Sequence, residues 1–312
     1  MSVMKADIIK GYSLAAFAAA AYGTNPAFAL PLYAQGMNPV SVLLFRYIIG
    51  LPLLLVLMKV RGINIGLRKS EILPVMVLGV LMAFSSLSLF ASYEYMNSGI
   101  ASTLLFVYPI MVAVMMIFFF NEKFKMSVAV CLLLMSVGLF FLLKPQKDTE
   151  LSLFGFLLVM ISALTYALYI VIVNVSKNVS HIPTTKLLFY ILASGSLVYI
   201  VFIFSGTQLT LPVHSFGWLN LSALALVPTL ISLACTTRAI QLIGSTPTAI
   251  LGALEPVSAV ILSVTVLGQT LTGREIVGGI FIVVATTVVV ASEPIDKALL
   301  SVRKMFPRRN KA

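Results

Sequence analysis

A carboxylate, Glu255, is the residue of this chain whose chemistry most needs an explanation. It lies in the stretch GALEPVSA, residues 252–259, and no other ionisable group occurs between Arg238 and Arg274. In a lipid environment an ionised carboxylate near the bilayer centre is costly and usually marks a functional site. The adjacent Pro256 lacks a backbone N–H and leaves a helical carbonyl without its usual donor. The pair indicates contact with a substrate amine, proton carriage or both, or else a structural interhelical hydrogen bond.

Tyrosine, amide and guanidinium groups form the second set of candidates. Residues at helical spacing share one face of a helix, and two such polar stripes occur. The first is interrupted by Pro26 and contains Ala18, Tyr22, Asn25 and Ala29, and the second contains Ser162, Tyr166, Tyr169 and Val173. Arg46 lies within an apolar run, where it either snorkels or pairs with a carboxylate such as Glu255. Together with Tyr108, these tyrosines and Glu255, Asn25 and Arg46 are the predicted substrate-binding residues, with plain packing as the alternative.

The elements that hold these residues must lie in lipid. The chain has 312 residues, of which 60% are hydrophobic and 10% are charged, and its mean hydropathy is +1.07. A soluble domain is nearer half apolar and a quarter charged. A membrane-spanning helix needs about 20 apolar residues. The chain offers ten such segments: 9–32, 39–60, 72–94, 98–120, 126–143, 153–175, 184–204, 216–241, 246–268 and 275–292.

The basic residues predict an orientation. Cytoplasmic connectors carry an excess of Lys and Arg. With both termini in the cytoplasm, only Lys144, Lys147 and Arg274 fall outside, apart from Arg46 within a span. The net charge of +11 is therefore explained by membrane topology and by contact with anionic lipid headgroups. We predict no nucleic-acid binding, because no nucleic-acid-binding motif accompanies the charge.

The chain resembles itself at an offset of about half its length. A shift of 144 aligns Tyr22 with Tyr166, and a shift of 147 aligns Tyr108-Pro109 with Glu255-Pro256. We therefore predict two five-helix repeats, residues 1–148 and 149–293, followed by a basic cytoplasmic tail, residues 294–312. An odd number of spans inverts the second repeat relative to the first, which is a device of secondary transporters.

The sequence has no residue pattern suited to metal binding, to a catalytic histidine or cysteine set, or to nucleotide binding. The two histidines and two cysteines have no metal-ligand spacing, and they form no catalytic set. No nucleotide loop is present. The sequence thus predicts neither an enzyme nor a cofactor-dependent protein. If transport is coupled to an ion, the isolated carboxylates favour H⁺ over Na⁺, and uniport or exchange is fully compatible with the sequence.

Four stretches resemble the EamA-type branch of the drug/metabolite transporter superfamily. They are AAAAYGTNPAF (18–28), LLFRYIIG (43–50), FFNEKF (119–124) and the long second-half run at 253–285. The resemblance covers essentially the whole chain and implies a ten-span α-helical carrier of the bacterial inner membrane. One departure is visible, because Gly268 is followed by Gln269 where the family usually has Glu, whereas the first half keeps Asn121-Glu122.

The combined expectation is an all-α integral membrane protein with ten transmembrane helices in two inverted repeats. It would export small metabolites, such as amino acids or their derivatives, by alternating access around a midplane cavity lined by spans one, three, four, six, eight and nine. The alternatives are efflux of apolar drugs or dyes, or a non-transporting scaffold subunit. The expected partners are a small-molecule substrate and the bilayer, with the protein a monomer or a homodimer.

Overall fold

A computed structural model gives the fold of residues 2–96, 98–123, 125–142, 152–265 and 272–305. The predicted repeat boundary at 148/149, the charges Lys144 and Lys147, Gln269 and the end of the tail at 306–312 lie outside the described residues.

All the described elements are helical. The first half contains α1 (Ser2–Tyr22), α2 (Asn25–Ala34), α3 (Pro39–Val60), α4 (Lys69–Ser92), α5 (Ser98–Leu105), α6 (Tyr108–Phe120) and α7 (Met126–Leu142). The second half begins with α8 (Leu153–Val175), α9 (Lys177–Ser180), α10 (Thr184–Phe204) and α11 (Ser215–Leu224). It continues through a π-helical segment (Ala225–Ile231) into α12 (Ser232–Ile243), α13 (Ser245–Leu251), α14 (Leu254–Thr265) and α15 (Gly273–Met305).

Local capping chemistry sets where the long helices start. The Asn38 side chain accepts a hydrogen bond from the Ser41 backbone N–H at 2.9 Å, and Pro39 takes the first helical position of α3. Ser152 caps α8 in the same way by accepting from the Gly155 N–H. Both arrangements satisfy backbone donors that a helix N-terminus leaves unpaired.

Proline explains where helices break. A proline ring clashes with the carbonyl four residues earlier, so a helix ends there when the surroundings permit it. Four helices end within one residue of the position that lies four residues before a proline. They are α1 before Pro26, α5 before Pro109, α11 before Pro228 and α13 before Pro256. Pro52 instead lies inside the continuous α3. The breaks interrupt the predicted spans one, four, eight and nine.

Each predicted span is helical over most of its described part, and five helices are long and apolar enough to cross a membrane. These five are Pro39–Val60, Lys69–Ser92, Leu153–Val175, Thr184–Phe204 and the composite Ser215–Ile243. Shorter apolar helices cover Tyr108–Phe120, Met126–Leu142 and Ile276–Ala291. The number of ten crossings stays a prediction. The last helix extends to Met305, beyond the end expected at 292, because the segment after Ala291 contains no helix-ending glycine and its Pro294 does not break the helix.

Helix packing follows a two-fold exchange of the halves. Helix α1 packs against α12, and the equivalent pair α8 and α4 packs in the same way. Helices α3 and α10, which occupy equivalent places, pack against each other, as do α7 and α15. Helices α6 and α8 meet, and so do their counterparts α14 and α1. The core therefore lies where the two repeats interlock.

An imidazole at a helix connection joins the halves. The ring Nε2 of His181 lies 2.9 Å from Glu71 Oε1 in the first turn of α4, and Nδ1 lies 2.9 Å from the Lys177 carbonyl. Both neighbours are acceptors, so a doubly protonated ring donates to each of them. The hydrogen bond to Glu71, followed by the bond to the Lys177 carbonyl, raises the pKa of His181 above its ordinary value of 6.5.

Candidate functional site

A small cavity lies where the interrupted helices meet. Its volume is about 20 Å³, which is about the space of one water molecule. Five of the six predicted spans contribute lining residues, and α4, the predicted third span, contributes none. The lining consists of Ala15, Ala18, Ala19, Tyr22, Tyr108, Tyr166, Ile170, Ser232, Thr236, Thr248, Gly252 and Glu255. We call it the central cavity.

Two pairs of repeat-equivalent residues face this cavity. Tyr22 and Tyr166 are related by the 144-residue shift, and Tyr108 and Glu255 by the 147-residue shift, and all four are lining residues. Residues exchanged by a two-fold operation face one space only when that space lies close to the axis. The central cavity is therefore on or near the pseudo-two-fold axis of the molecule.

The break between α13 and α14 presents backbone groups to the cavity. The Gly252 N–H donates to the carbonyls of Thr248 and Ala249, both at 3.1 Å, and the Glu255 N–H donates to the Gly252 carbonyl at 2.9 Å. The Ala249 carbonyl also accepts a hydrogen bond from the Tyr108 hydroxyl at 3.2 Å. A tyrosine from the first repeat thus caps the broken helix of the second.

Glycine is required at this break by space rather than by backbone conformation. A Cβ atom added to Gly252 would lie 1.7 Å from the Tyr108 hydroxyl oxygen. The backbone φ of Gly252 is −54°, which any residue adopts. The missing side chain is what lets Tyr108 reach the helix break.

Glu255 is buried beside this contact, with 9% of its surface exposed. Its carboxyl group makes no salt bridge and accepts no hydrogen bond from any side chain that the structure describes. The Ser258 hydroxyl donates to the backbone carbonyl of Glu255 at 2.7 Å, within α14. A buried carboxyl group that faces a cavity is available to a ligand or a proton.

Aromatic rings form another part of the cavity wall. The rings of Tyr108 and Tyr166 meet edge to face with centroids 4.9 Å apart, and Tyr166 stacks on Tyr169 at 6.1 Å. The Tyr169 hydroxyl lies 3.0 Å from Thr237 Oγ1 on α12. Tyrosine faces attract cations, and their hydroxyls hydrogen-bond polar groups.

Arg46 lies in a separate, fully buried polar cluster. Its Nε donates to Thr229 Oγ1, its Nη1 donates to Asn25 Oδ1 at 3.3 Å, and its guanidinium carbon lies 5.7 Å from the centre of the Phe90 ring. The expected alternative of an Arg46–Glu255 salt bridge is wrong, since the guanidinium uses neutral oxygen acceptors instead. Tyr22 lies within electrostatic range of both Arg46 and Glu255 and connects the cluster to the cavity.

The proline break in the eighth span supplies the acceptor for Arg46. Pro228 has no N–H to donate to the Leu224 carbonyl, and the Thr229 hydroxyl donates to that carbonyl at 2.7 Å instead. The same hydroxyl oxygen then accepts from Arg46. Thr229 directly follows a proline within the predicted eighth span, a signal from which it could have been found.

The seven predicted binding residues occupy one region. Tyr22, Tyr108, Tyr166 and Glu255 line the central cavity, Tyr169 stacks behind it, and Asn25 and Arg46 bond to each other beside it. The sequence did not single out Ser232, Thr236 and Thr248 by function, although Thr248 was placed on the Glu255 face. No group of three or more His, Cys, Asp or Glu side chains suited to a metal ion occurs among the described residues.

Comparisons with known proteins agree with the duplicated architecture. Residues 9–144 and 153–291 each match the model of the EamA-like transporter family. A protein of known crystal structure, 17% identical in sequence, aligns over 97% of this chain and 99% of its own length with a TM-score of 0.74. That likeness shows the fold alone. No curated protein matches the chain.

Proposed function

This chain belongs to the EamA-like transporter family, and we propose that it is a secondary carrier that exports small metabolites such as amino acids or their derivatives. Ten helices cross a bacterial-type inner membrane as two inverted repeats, with both termini in the cytoplasm. The two repeats rock about the central cavity so that it opens to each side in turn.

The observation that carries the proposal is the meeting of repeat-equivalent residues at one cavity. Tyr22 with Tyr166, and Tyr108 with Glu255, all line the central cavity. A binding site on the symmetry axis remains in place while inverted halves exchange conformations. The broken helices around it supply the irregular backbone that membrane proteins tolerate only where it lines a cavity or is buried.

The lining favours an ammonium-bearing metabolite over an apolar dye. A carboxylate can pair with an amine, and tyrosine rings that line the same cavity can attract the same cation. The present volume of about 20 Å³ accommodates a water molecule and no metabolite. On this proposal, substrate binding requires the helices around the cavity to separate.

Glu255 has two roles in this mechanism, which are substrate contact and proton carriage. A carboxylate that binds a substrate amine in one orientation and a proton in the other couples export to proton uptake. The competing explanation is that Glu255 only packs. The two differ in the pH dependence of transport, which a packing residue does not set.

The test is transport in proteoliposomes by wild type and Glu255→Gln, using the amino-acid-like compound whose release from cells depends most on the protein. We expect the variant to remain folded and to lose at least about tenfold in rate or lose its pH dependence, because a charged contact is removed. Glu94→Gln, at an exposed carboxylate, is the matched control. Wild-type rates at every pH for Glu255→Gln would exclude this role.

A further inference from the structure

The buried cluster around Arg46 has more hydrogen-bond donors than acceptors. Arg46 is fully buried and makes no salt bridge with a described carboxylate. A guanidinium has five N–H groups. One donates to Thr229 and one to Asn25, and the Tyr22 hydroxyl is a further neighbour. At least two N–H groups of Arg46 therefore donate to no residue that the structure describes.

Asn25 and Tyr33 add donors of the same kind. The Asn25 side chain is 2% exposed, and within the described part of the chain its Nδ2 donates no hydrogen bond. The buried Tyr33 hydroxyl also has no hydrogen-bond partner among the described residues. Tyr33 lies within electrostatic range of Arg46, and its ring meets Phe90 edge to face with centroids 6.3 Å apart. We call Asn25, Tyr33 and Arg46 the donor cluster.

The chemistry of the donor cluster is suited to an anion. Burial of a cation without a counter-charge is costly, and each buried N–H group without an acceptor adds to that cost. A carboxylate supplies a negative charge together with two acceptor oxygens, and the planar guanidinium matches both oxygens in a bidentate contact. A carboxylate on a ligand would therefore offset the cost that the fold leaves at Arg46.

The helix break in the first span brings the donor cluster next to the central cavity. Helix α1 ends at Tyr22 and α2 begins at Asn25, so the break has a cavity-lining tyrosine on one side and a cluster amide on the other. Tyr22 also lies within electrostatic range of both Arg46 and Glu255. The guanidinium and the carboxyl group are thus neighbours of the same tyrosine without pairing with each other, and a ligand with two opposite charges can pair with both.

We propose that the donor cluster binds the carboxylate of the transported substrate while Glu255 binds its ammonium group. This inference rests on the proposed function and narrows the substrate class to α-amino acids and other molecules that carry both charges, which excludes simple amines. The residues of the donor cluster do not line the central cavity in this structure. Their contact with the substrate therefore requires the same separation of helices as substrate binding at Glu255.

The test compares ligands that differ at the carboxylate alone. L-Alanine, L-leucine and L-phenylalanine are each paired with their carboxamide, which keeps the ammonium group and replaces the carboxylate by a neutral amide. Calorimetry measures their binding to the full chain in nanodiscs at about pH 6.5, where all the amines are protonated. We expect wild type to bind the best acid at least about tenfold more tightly than its amide, because charge-assisted hydrogen bonds are lost. Equal binding within that pair, or no binding of any acid, would refute the proposal.

Asn25→Asp separates ligand binding from a purely structural role of the cluster. The Asn25 Oδ1 atom lies 3.3 Å from Nη1 of Arg46, so an aspartate of the same shape supplies the missing anion from within the chain. We expect the variant to stay folded, to bind the best acid at least about tenfold more weakly and to bind its amide as wild type does. If Asn25→Asp binds the acid as tightly as wild type, the cluster serves the fold alone and the proposal is wrong.

Asn64→Asp is the matched control, because it makes the same change at an exposed residue of the connector after α3. It should bind the acid and the amide as wild type does. An equal loss of acid binding in Asn64→Asp and Asn25→Asp would contradict a local effect at the donor cluster.

Glu255→Gln distinguishes the failure of this inference from the failure of the proposed function. The variant should weaken the acid and its amide alike, because both ligands lose their ammonium contact. Loss of both, with no preference of wild type for the acid, would keep the role of Glu255 and remove the carboxylate site. Wild-type binding of both by Glu255→Gln, with the acid still preferred and weakened by Asn25→Asp, would keep the contact of the donor cluster and remove the role of Glu255.

Discussion

Replacement of Gly252 by alanine tests whether the helix break is shaped around the Tyr108 hydroxyl. The added methyl carbon would lie 1.7 Å from Tyr108 Oη, 3.0 Å from the Ala249 carbonyl oxygen and 3.1 Å from Tyr108 Cζ. Tyrosine must move, and its 3.2 Å hydrogen bond to Ala249 is then lost. The ring is held against Tyr166, so it has little room to yield.

The magnitude follows from three opposing effects. Overpacking costs about 1–3 kcal/mol, and a lost hydrogen bond costs about 0.5–1.5 kcal/mol. Alanine recovers about 0.5–1 kcal/mol of helical preference over glycine. We therefore expect Gly252→Ala to lower the free energy of unfolding by about 1–3 kcal/mol, since the packing effects outweigh the preference.

The assay is unfolding of the purified protein in mixed micelles with increasing SDS, followed by far-UV circular dichroism. Gly279→Ala is the matched control, because no atom lies within 4 Å of a Cβ added there. That control should be neutral or slightly stabilised. Transport should also fall in Gly252→Ala, because the displaced ring lines the central cavity.

A double-mutant cycle makes the reasoning refutable. Tyr108→Phe removes the clashing oxygen, so Gly252→Ala should cost about 1 kcal/mol less in that background than in wild type. If Gly252→Ala is as stable as wild type, or if the two effects simply add, then the close approach of Tyr108 does not shape the break.

Three further outcomes follow from contacts elsewhere in the protein. Because the bond to Glu71 raises the pKa of His181, the protonated ring stabilises the fold fully below its ordinary pKa of 6.5 and stops doing so as pH rises through the higher folded-state pKa. The difference between the melting temperatures at about pH 6 and about pH 8.5 should therefore be larger for wild type than for His181→Ala. An equal difference in the two proteins would contradict this prediction. Arg46→Lys keeps the charge but cannot reproduce both guanidinium hydrogen bonds. Unfolding in SDS should show a free energy of unfolding lower by about 1.5–3 kcal/mol. An unchanged free energy of unfolding would show that these hydrogen bonds are dispensable. Gly79→Ala would place a Cβ 2.7 Å from the backbone carbonyl of Ile191 and should reduce folded yield by fluorescence-detected chromatography far more than Gly279→Ala, so equal yields would contradict the α4–α10 packing.

Hydropathy predicted the helices better than their interruptions. The bounds 39–60, 153–175 and 184–204 coincide with α3, α8 and α10, because a run of apolar residues between polar turns leaves one place for a spanning helix. Proline near a polar residue predicted an interruption in spans one and nine. It did not say which prolines break a helix, since Pro52 is accommodated and Pro228 creates a π-helical segment.

Partners across the repeats were beyond the reach of a single sequence. Arg46 and Thr229 are 183 residues apart, and Glu122 and Thr246 are 124 apart. Neither pairing follows from helical periodicity, which orders residues within one helix and leaves its rotation against a neighbour undetermined. The repeat alignment supplied one long-range relation, because it pairs Tyr22 with Tyr166, and both residues line the central cavity.

The same alignment separates architecture from chemistry at the helix breaks. Pro109 and Pro256 are equivalent, and each stands just inside the helix that follows its break, α6 and α14. The break is therefore a shared property of both repeats, explained by a clash that either proline produces. The residues before them differ, since one is Tyr108 and the other Glu255, although symmetry gives them the same cavity to face. Packing around a two-fold axis does not require such a difference, and a site for an asymmetric ligand need not be symmetric, because the two ends of such a ligand have different chemistry. If the proposed function holds, the tyrosine and the carboxylate act as a single recognition pair, and exchanging them as Tyr108→Glu with Glu255→Tyr should preserve the breaks while altering the orientation in which the ligand binds.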